Sequence, residues 1–177
     1  MLSYNGFRAA LVVVVLLLIV GAASAQEPEM TEPLALGDQI HVLEIELAPT
    51  GPPSIEMTTD DRIVFSAEAA GTTSGAIAGT MTSRISEVNR LPPPANQTFS
   101  ETFVIETELG RLEGFYAGSI FVEEGTDAAP INAHGYILNV SGAYADLFMA
   151  EVFVSGQVNF VDGRSTGAVS TMTIFPR

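Results

Sequence analysis

Residues 99–122, which read FSETFVIETELGRLEGFYAGSIFV, contain two β-strand patterns joined by a tight turn. In the first pattern Phe99, Phe103 and Ile105 recur at even spacing, which places them on one face of a strand. The turn Glu108-Leu109-Gly110 ends in glycine, a residue that accepts a positive φ without steric cost. Because strands separated by so short a turn pair with each other, this stretch predicts an antiparallel hairpin.

The same alternation of apolar and polar residues continues along most of the chain after residue 37. Valine, isoleucine, phenylalanine and threonine dominate the strand segments, and glycine, proline and aspartate separate them. The predicted strands are Gln39–Leu47, Arg62–Ala67, Ile77–Ser86, Phe99–Leu109, Arg111–Val122, Ala133–Val140, Glu151–Phe160 and Thr166–Phe175. Consecutive antiparallel strands of this number can close into a barrel. We therefore predict an all-β fold, an antiparallel meander β-barrel of about eight strands over residues 38–177, with a two-sheet β-sandwich as the alternative.

The first 25 residues have the three regions of a secretory signal peptide. A positive charge at Arg8 precedes the apolar run Ala9–Val20, and Ala23-Ser24-Ala25 has the form of a signal-peptidase site. The apolar run is shorter than the roughly 20 residues that a membrane-spanning helix needs. We predict a cleavable signal peptide over residues 1–25, a flexible acidic lead-in over residues 26–37, and a secreted or periplasmic protein that does not associate with a membrane after cleavage.

The composition excludes several classes of function. The chain has 21 acidic and 7 basic residues, a net charge of −14 and no lysine, so its surface repels phosphate backbones and a nucleic-acid partner is not expected. It has no cysteine, and no G-x-S-x-G, P-loop or dinucleotide-binding motif. Two histidines are too few for a three-histidine zinc site. We expect no metal and no cofactor.

Three glycines recur at intervals of four residues in the second strand of the hairpin: Gly110, Gly114 and Gly118. They share one face of the strand because the side-chain period of a strand is two. Glycine within a strand marks a bend or the close approach of another group. The pattern therefore indicates either strong coiling of the barrel wall or room left for a ligand inside the barrel.

The candidate catalytic residues lie on the same strand and are Glu113, Tyr116 and Arg111. If the glycine face is outside, Glu113 points into the barrel, where burial would raise the pKa of its carboxyl group and allow general acid or base chemistry. In the opposite orientation Glu113 is a solvated surface residue. Neither orientation follows from the sequence alone.

A second distinctive stretch, HGYILNVSGAYADLFMA at residues 134–150, supplies the candidate ligand-binding residues His134, Tyr136 and Tyr144. The run GRLEGFY at residues 110–116 and the corner Gly142-Ala143-Tyr144 resemble segments of the allene oxide cyclase and dirigent group of small barrels. The resemblance implies an eight-stranded barrel and an isomerase or cyclase that acts on a small apolar substrate in the lumen. It covers about a third of the chain that follows the signal peptide.

The departures from that group limit what the resemblance implies. Ser141 precedes the corner where the group has a fuller Gly-Gly-Thr-Gly, and the acidic and arginine residues of the dirigent pocket have no matching positions here. The resemblance therefore supports the fold and transfers no catalytic mechanism.

Several predicted strands are apolar on both faces. Phe115 and Phe121 lie opposite Leu112 and Tyr116, and Phe153 lies opposite the valines of its own strand. Outward aromatic rings need a cover, so we put forward a homo-oligomer as a hypothesis. Without a compact catalytic constellation, the sequence favours a non-enzymatic module that binds a small apolar ligand or packs into an assembly. The isomerase or cyclase stays as the alternative.

Overall fold

The computed structural model describes residues 39–57, 62–90, 95–123, 125–162 and 164–177. The predicted signal peptide and acidic lead-in lie outside the described residues. Within them the chain forms nine β-strands and a 3₁₀ turn at Ala145–Leu147. The strands are β1 (His41–Pro49), β2 (Ser54–Met57), β3 (Arg62–Gly75), β4 (Gly79–Arg90), β5 (Ala95–Thr107), β6 (Gly110–Val122), β7 (Ala128–Gly142), β8 (Glu151–Val161) and β9 (Arg164–Phe175).

The sheet closes on itself as a meander barrel. From β3 to β9 each strand pairs antiparallel with the next along the chain, and β1 pairs with β9 on one side and with β3 on the other. These eight strands form the closed wall, and β2 is an additional strand on the edge of β3. The predicted eight-stranded barrel is confirmed, and the alternative of a two-sheet sandwich is wrong.

Two elements differ from the prediction. The second predicted strand ends at Ala67, whereas β3 continues to Gly75 because its small and polar residues pair with β1 on one side and β4 on the other. Small residues have a low intrinsic preference for the β-strand conformation, and pairing with a strand on both sides outweighs that low preference. The short strand β2 was not predicted, since its four residues follow two prolines and lie outside any long alternating run.

Alternation along the strands separates a buried interior from an exposed outer face. In β1 the side chains of His41, Leu43, Ile45 and Leu47 are buried, and the residues between them are exposed. The interior is filled by large apolar side chains. The fully buried ones are Phe103, Leu43, Ile45, Ile77, Met81, Ile105, Leu112, Ile137, Leu147, Met172, Ile174 and Val152.

The connection from β7 to β8 closes one end of the barrel. Leu147 and Ala150 in this connection are fully buried. Its backbone bonds to β7, since the Met149 amide donates to the Ile137 carbonyl at 2.9 Å and the Ile137 amide donates to the Ala150 carbonyl at 3.0 Å. Toward the opposite end the inward apolar side chains, such as Ile85 and Phe160, are only partly buried.

Candidate functional site

The glycine face of β6 lies inside the barrel. Leu112, Gly114 and Tyr116 are buried, and the residues between them are exposed or half-buried. The orientation in which Glu113 points into the barrel is therefore wrong. Glu113 lies on the outer face, where its Oε1 pairs with Nη2 of Arg111 at 2.5 Å, and both side chains are at least a third exposed.

The space beside Gly114 is occupied by a neighbouring side chain of the barrel itself. Gly114 pairs directly with Phe103 of β5, and a Cβ atom at Gly114 would lie 2.7 Å from Cζ of the Phe103 ring. An aromatic ring over a glycine on the adjacent strand fills the gap and allows the wall to curve. Of the two interpretations of the glycines, the structure favours close packing of a coiled wall.

An acidic residue that the sequence analysis did not select lies in the interior. Glu101 of β5 is 6 % exposed, and it pairs with Tyr116 of β6, which is 2 % exposed. Glu101 has the same parity as Phe99 and Phe103, so the alternation that placed those rings inside also places this carboxyl group inside. The apolar residues on this face of β5 predicted that it lies inside, but Glu101, the one acidic residue among them, was not selected as a candidate.

Aromatic rings surround Glu101, and the hydroxyl groups of Tyr116 and Ser83 lie near its carboxyl group. The Tyr116 ring contacts the rings of Phe99 and Phe103, with centroid separations of 6.2 and 5.6 Å. Oε1 of Glu101 and Oγ of Ser83 have no hydrogen-bonding partner among the described residues.

Burial raises the pKa of Glu101, and the nearby hydroxyl groups of Tyr116 and Ser83 partly oppose this shift. Burial also raises the pKa of Tyr116 well above its ordinary value, and the negative charge of Glu101 adds to the increase. A protonated carboxyl group beside a phenol can donate hydrogen bonds to a carbonyl oxygen in an apolar site. Here Phe99 and Phe103 stand on either side of the carboxyl group along the interior face of β5.

Tyr144 is buried at the closed end of the barrel, away from the other two candidate ligand-binding residues. Its hydroxyl group lies 2.8 Å from Oγ1 of Thr107. Oγ1 of Thr107 donates to the Gly110 carbonyl and accepts from the Leu109 amide. Because the threonine proton is used in this way, Tyr144 donates to Thr107. The tyrosine therefore ties the β7–β8 connection to the turn between β5 and β6.

His134 and Tyr136 lie on the outer face of β7 and belong to a group of aromatic side chains that we call the aromatic patch. The patch comprises Phe115, His134, Tyr136, Phe153 and Phe175, on the outer faces of β6 to β9. Ring centroids of adjacent members are 4.5 to 6.2 Å apart, so the contacts run without interruption across four strands. Phe153 is 46 % exposed.

The charged groups beside the aromatic patch are of both signs. The guanidinium carbon of Arg177 lies 5.6 Å from the centroid of the Tyr136 ring, within the range of a cation–π contact. Oε2 of Glu151 lies 3.8 Å from Nε2 of His134. The Arg111–Glu113 pair adds one positive and one negative charge on β6. Oε1 of Glu106 lies 4.0 Å from Nε of Arg111 and adds a further negative charge, so the surroundings of the patch carry charges of both signs without being neutral.

Two concavities, of about 610 and 380 Å³, lie on the outer wall. The larger crosses β3 to β6 and is lined by outward residues such as Glu68, Arg84 and Glu113, and also by residues of the interior face, Ala69, Ser83, Phe103 and Gly114. The smaller lies where β1 meets β3 and β9. Neither contains Glu101 or Tyr116.

No set of three or more His, Cys, Asp or Glu side chains in the described part of the chain is arranged to hold a metal ion. The described residues also contain no helix with the length and apolarity to cross a membrane. The chain matches no protein-family model, no curated protein and no solved structure. No match supports membership in the allene oxide cyclase and dirigent group, and of what that resemblance implied the structure shows only the eight-stranded barrel.

Proposed function

We propose that this chain is an exported, non-enzymatic interaction module, and that it associates with a second copy of itself through the aromatic patch. The observation that carries the proposal is the unbroken series of ring contacts from Phe115 to Phe175 across the outer faces of four neighbouring strands. His134 and Phe153 are exposed and Phe115, Tyr136 and Phe175 are half-buried. Partly exposed clusters of rings are found at interaction sites, and aromatic residues are enriched in the centres of interfaces. Export rests on the signal-peptide pattern of residues 1–25.

The distribution of charge supports a second copy as the partner. Two chains that each carry a net charge of −14 repel each other over most of their surfaces. Near the patch Arg177 lies over the Tyr136 ring and Arg111 pairs with Glu113, so these two positive charges reduce the repulsion between two copies. In a two-fold arrangement each copy presents the same surface, and arginines of one copy can lie over rings or carboxylates of the other.

The alternative, catalysis on a small apolar substrate in the lumen, has one supporting observation, which is the buried pair of Glu101 and Tyr116. Lumenal chemistry needs an open path and a cavity around these groups. Large side chains fill the interior in the described residues, and neither of the two concavities is lined by Glu101 or Tyr116. The packing therefore gives the interaction module more support than the enzyme.

The test compares two phenylalanines of similar exposure, one inside the patch and one outside it. Phe153 in the patch is 46 % exposed, and Phe121, also on the outer wall, is 42 % exposed. The mass of the wild-type protein, Phe153→Asp and Phe121→Asp would be measured by light scattering and sedimentation across the micromolar range. We expect a dimer for the wild type and for Phe121→Asp, and a shift to monomer for Phe153→Asp.

The size of the shift follows from the symmetry. Removing a central aromatic anchor typically costs an interface about 2 kcal/mol or more, and a two-fold interface loses the anchor twice. Dissociation at least about a hundredfold easier is therefore expected, at 1.4 kcal/mol per factor of ten. A wild-type protein that is monomeric across the range, or equal weakening by the two substitutions, would overturn the proposal.

A further inference from the structure

The strand β2 continues the path of β1 along β3 after an interruption. The pairing of β1 with β3 ends at Pro49, and the Thr50 amide then donates to the Glu68 carbonyl at 2.9 Å. Gly51-Pro52-Pro53 follows, and pairing with β3 resumes at Ser54. On the other side of β1, pairing with β9 ends at Leu47. β1 is therefore paired with a strand on both sides, whereas β2 is paired with β3 only.

The outer edge of β2 is open among the described residues. It pairs with β3 on one side, and no other described strand pairs with it. All four of its side chains are exposed, with Ile55 at 63 % and Met57 at 73 %. An exposed strand edge presents unpaired amide and carbonyl groups on which another strand can form. Natural edges are blocked by lysine, proline, a bulge, a charged side chain or a very short strand; β2 has no lysine, proline or bulge, and its protection is limited to its four-residue length and Glu56.

We propose that the free edge of β2 is a docking site for an extended, basic segment of a partner protein, which adds to the sheet as a further strand. Backbone hydrogen bonds would hold the segment, and apolar residues at alternate positions would lie beside Ile55 and Met57, which share one face of the strand. A net charge of −14, no lysine, and Glu56 in the middle of β2 favour a basic segment over an acidic one. A second copy of this chain lacks that complementarity. The site is separate from the aromatic patch on β6 to β9.

The probe is an end-capped peptide of alternating lysine and valine, fluorescently labelled and titrated with the full-length mature protein. Its control has the same sequence and charge, with N-methyl groups that block the backbone donors along one edge. Binding is measured by fluorescence anisotropy. We expect the unmodified peptide to bind about tenfold more tightly than its N-methylated form, because that control loses the roughly two backbone hydrogen bonds that a four-residue edge can accept.

The protein variants separate the strand edge from general charge attraction. Glu56→Lys and the double change Ile55→Ser with Met57→Ser should weaken binding several-fold. Glu46→Lys, which makes the same charge change on the exposed face of the doubly paired strand β1, should have a smaller effect. Hydrogen exchange of the β2 amides should slow when the peptide is bound.

Three results would overturn the proposal: equal binding of the two peptides, equal effects of Glu56→Lys and Glu46→Lys, or no binding of the unmodified peptide. Circular dichroism of each variant shows whether the barrel is intact, and substitutions on so exposed a strand are not expected to unfold it. None of these outcomes depends on whether the aromatic patch forms a dimer.

Discussion

Replacing Glu101 by glutamine should make the barrel more resistant to heat at neutral pH, with a pH dependence whose sign follows from burial. The pKa of Glu101 in the folded state is raised from 4.5 because the carboxyl group is buried. Below the unfolded pKa the group is protonated in both states and affects stability little. Between the unfolded and the folded pKa the native state holds a proton that the unfolded chain has lost, so the free energy of unfolding falls as the pH rises. Above the folded pKa the loss is complete and constant.

The magnitude of this effect follows from the single proton involved. One proton bound only by the native state changes the free energy of unfolding by at most about 1.4 kcal/mol per pH unit. For a domain of roughly 150 residues, 1 kcal/mol moves the Tm by about 2–4 °C. The Tm of the wild type should therefore fall relative to Glu101→Gln by up to about 3–6 °C per pH unit, beginning near pH 4.5 and levelling off above the folded pKa. Glutamine has nearly the same shape and cannot ionise, so its variant lacks this loss.

The assay is thermal unfolding by circular dichroism at intervals between pH 4 and pH 8, on the wild type, Glu101→Gln and Glu46→Gln. Glu46 is exposed on the outer face of β1, so its variant controls for the loss of one negative charge from an acidic protein. Only the difference between the wild type and Glu101→Gln should grow with pH. A constant difference, or a wild type that gains stability relative to Glu101→Gln as the pH rises, would refute the reasoning. It would mean that water reaches Glu101 in the middle of the barrel.

Two further substitutions test the packing around the candidate residues. Gly114→Ala should destabilise the barrel by about 1–3 kcal/mol, because the added Cβ would lie 2.5 Å from the Tyr136 carbonyl oxygen and 2.7 Å from the Phe103 ring; chemical denaturation measures this, and a more stable variant would show that the glycine serves some other purpose. Tyr144→Phe should cost about 0.5–1.5 kcal/mol by removing the 2.8 Å hydrogen bond to Thr107; an unchanged Tm would mean that this bond does not hold the closed end together.

The barrel was predictable because its strands satisfy two conditions at once. Their apolar residues alternate, and the turns between them are short, so that each strand pairs with the next along the chain. The errors occur where one condition fails. The second half of β3 has small polar residues and gains its strand conformation from pairing with both neighbours, and β2 is too short to show a period. Neither feature leaves a local signal, since both depend on contacts between residues distant in the sequence.

The site residues were harder to place because parity alone does not say which face of a strand is inside. In β6 both faces carry aromatic residues, so the sequence does not determine which way Glu113 points. In the structure the glycines face Phe103 and the core, and Glu113 therefore faces outward. In β5 Phe99 and Phe103 determine the orientation, so the inward position of Glu101 could have been inferred from the sequence, although Glu101 was not among the predicted site residues. A polar residue on the otherwise apolar face of a strand, such as Glu101, is thus the position from which a buried site is most readily predicted.

For the same reason, the function of this protein is more readily inferred from the residues on its outer wall than from those in the lumen. A barrel of this size fills its interior with side chains, so that apolar residues facing inward are accounted for by packing alone. Apolar rings facing outward gain less from burial, since each exposes area to water, although contacts between rings on neighbouring strands also stabilise the sheet. Here the outward rings are gathered on four adjacent strands and accompanied by charges of both signs. The patch is therefore the surface on which the proposed self-association rests, and the comparison of Phe153→Asp with Phe121→Asp tests it directly.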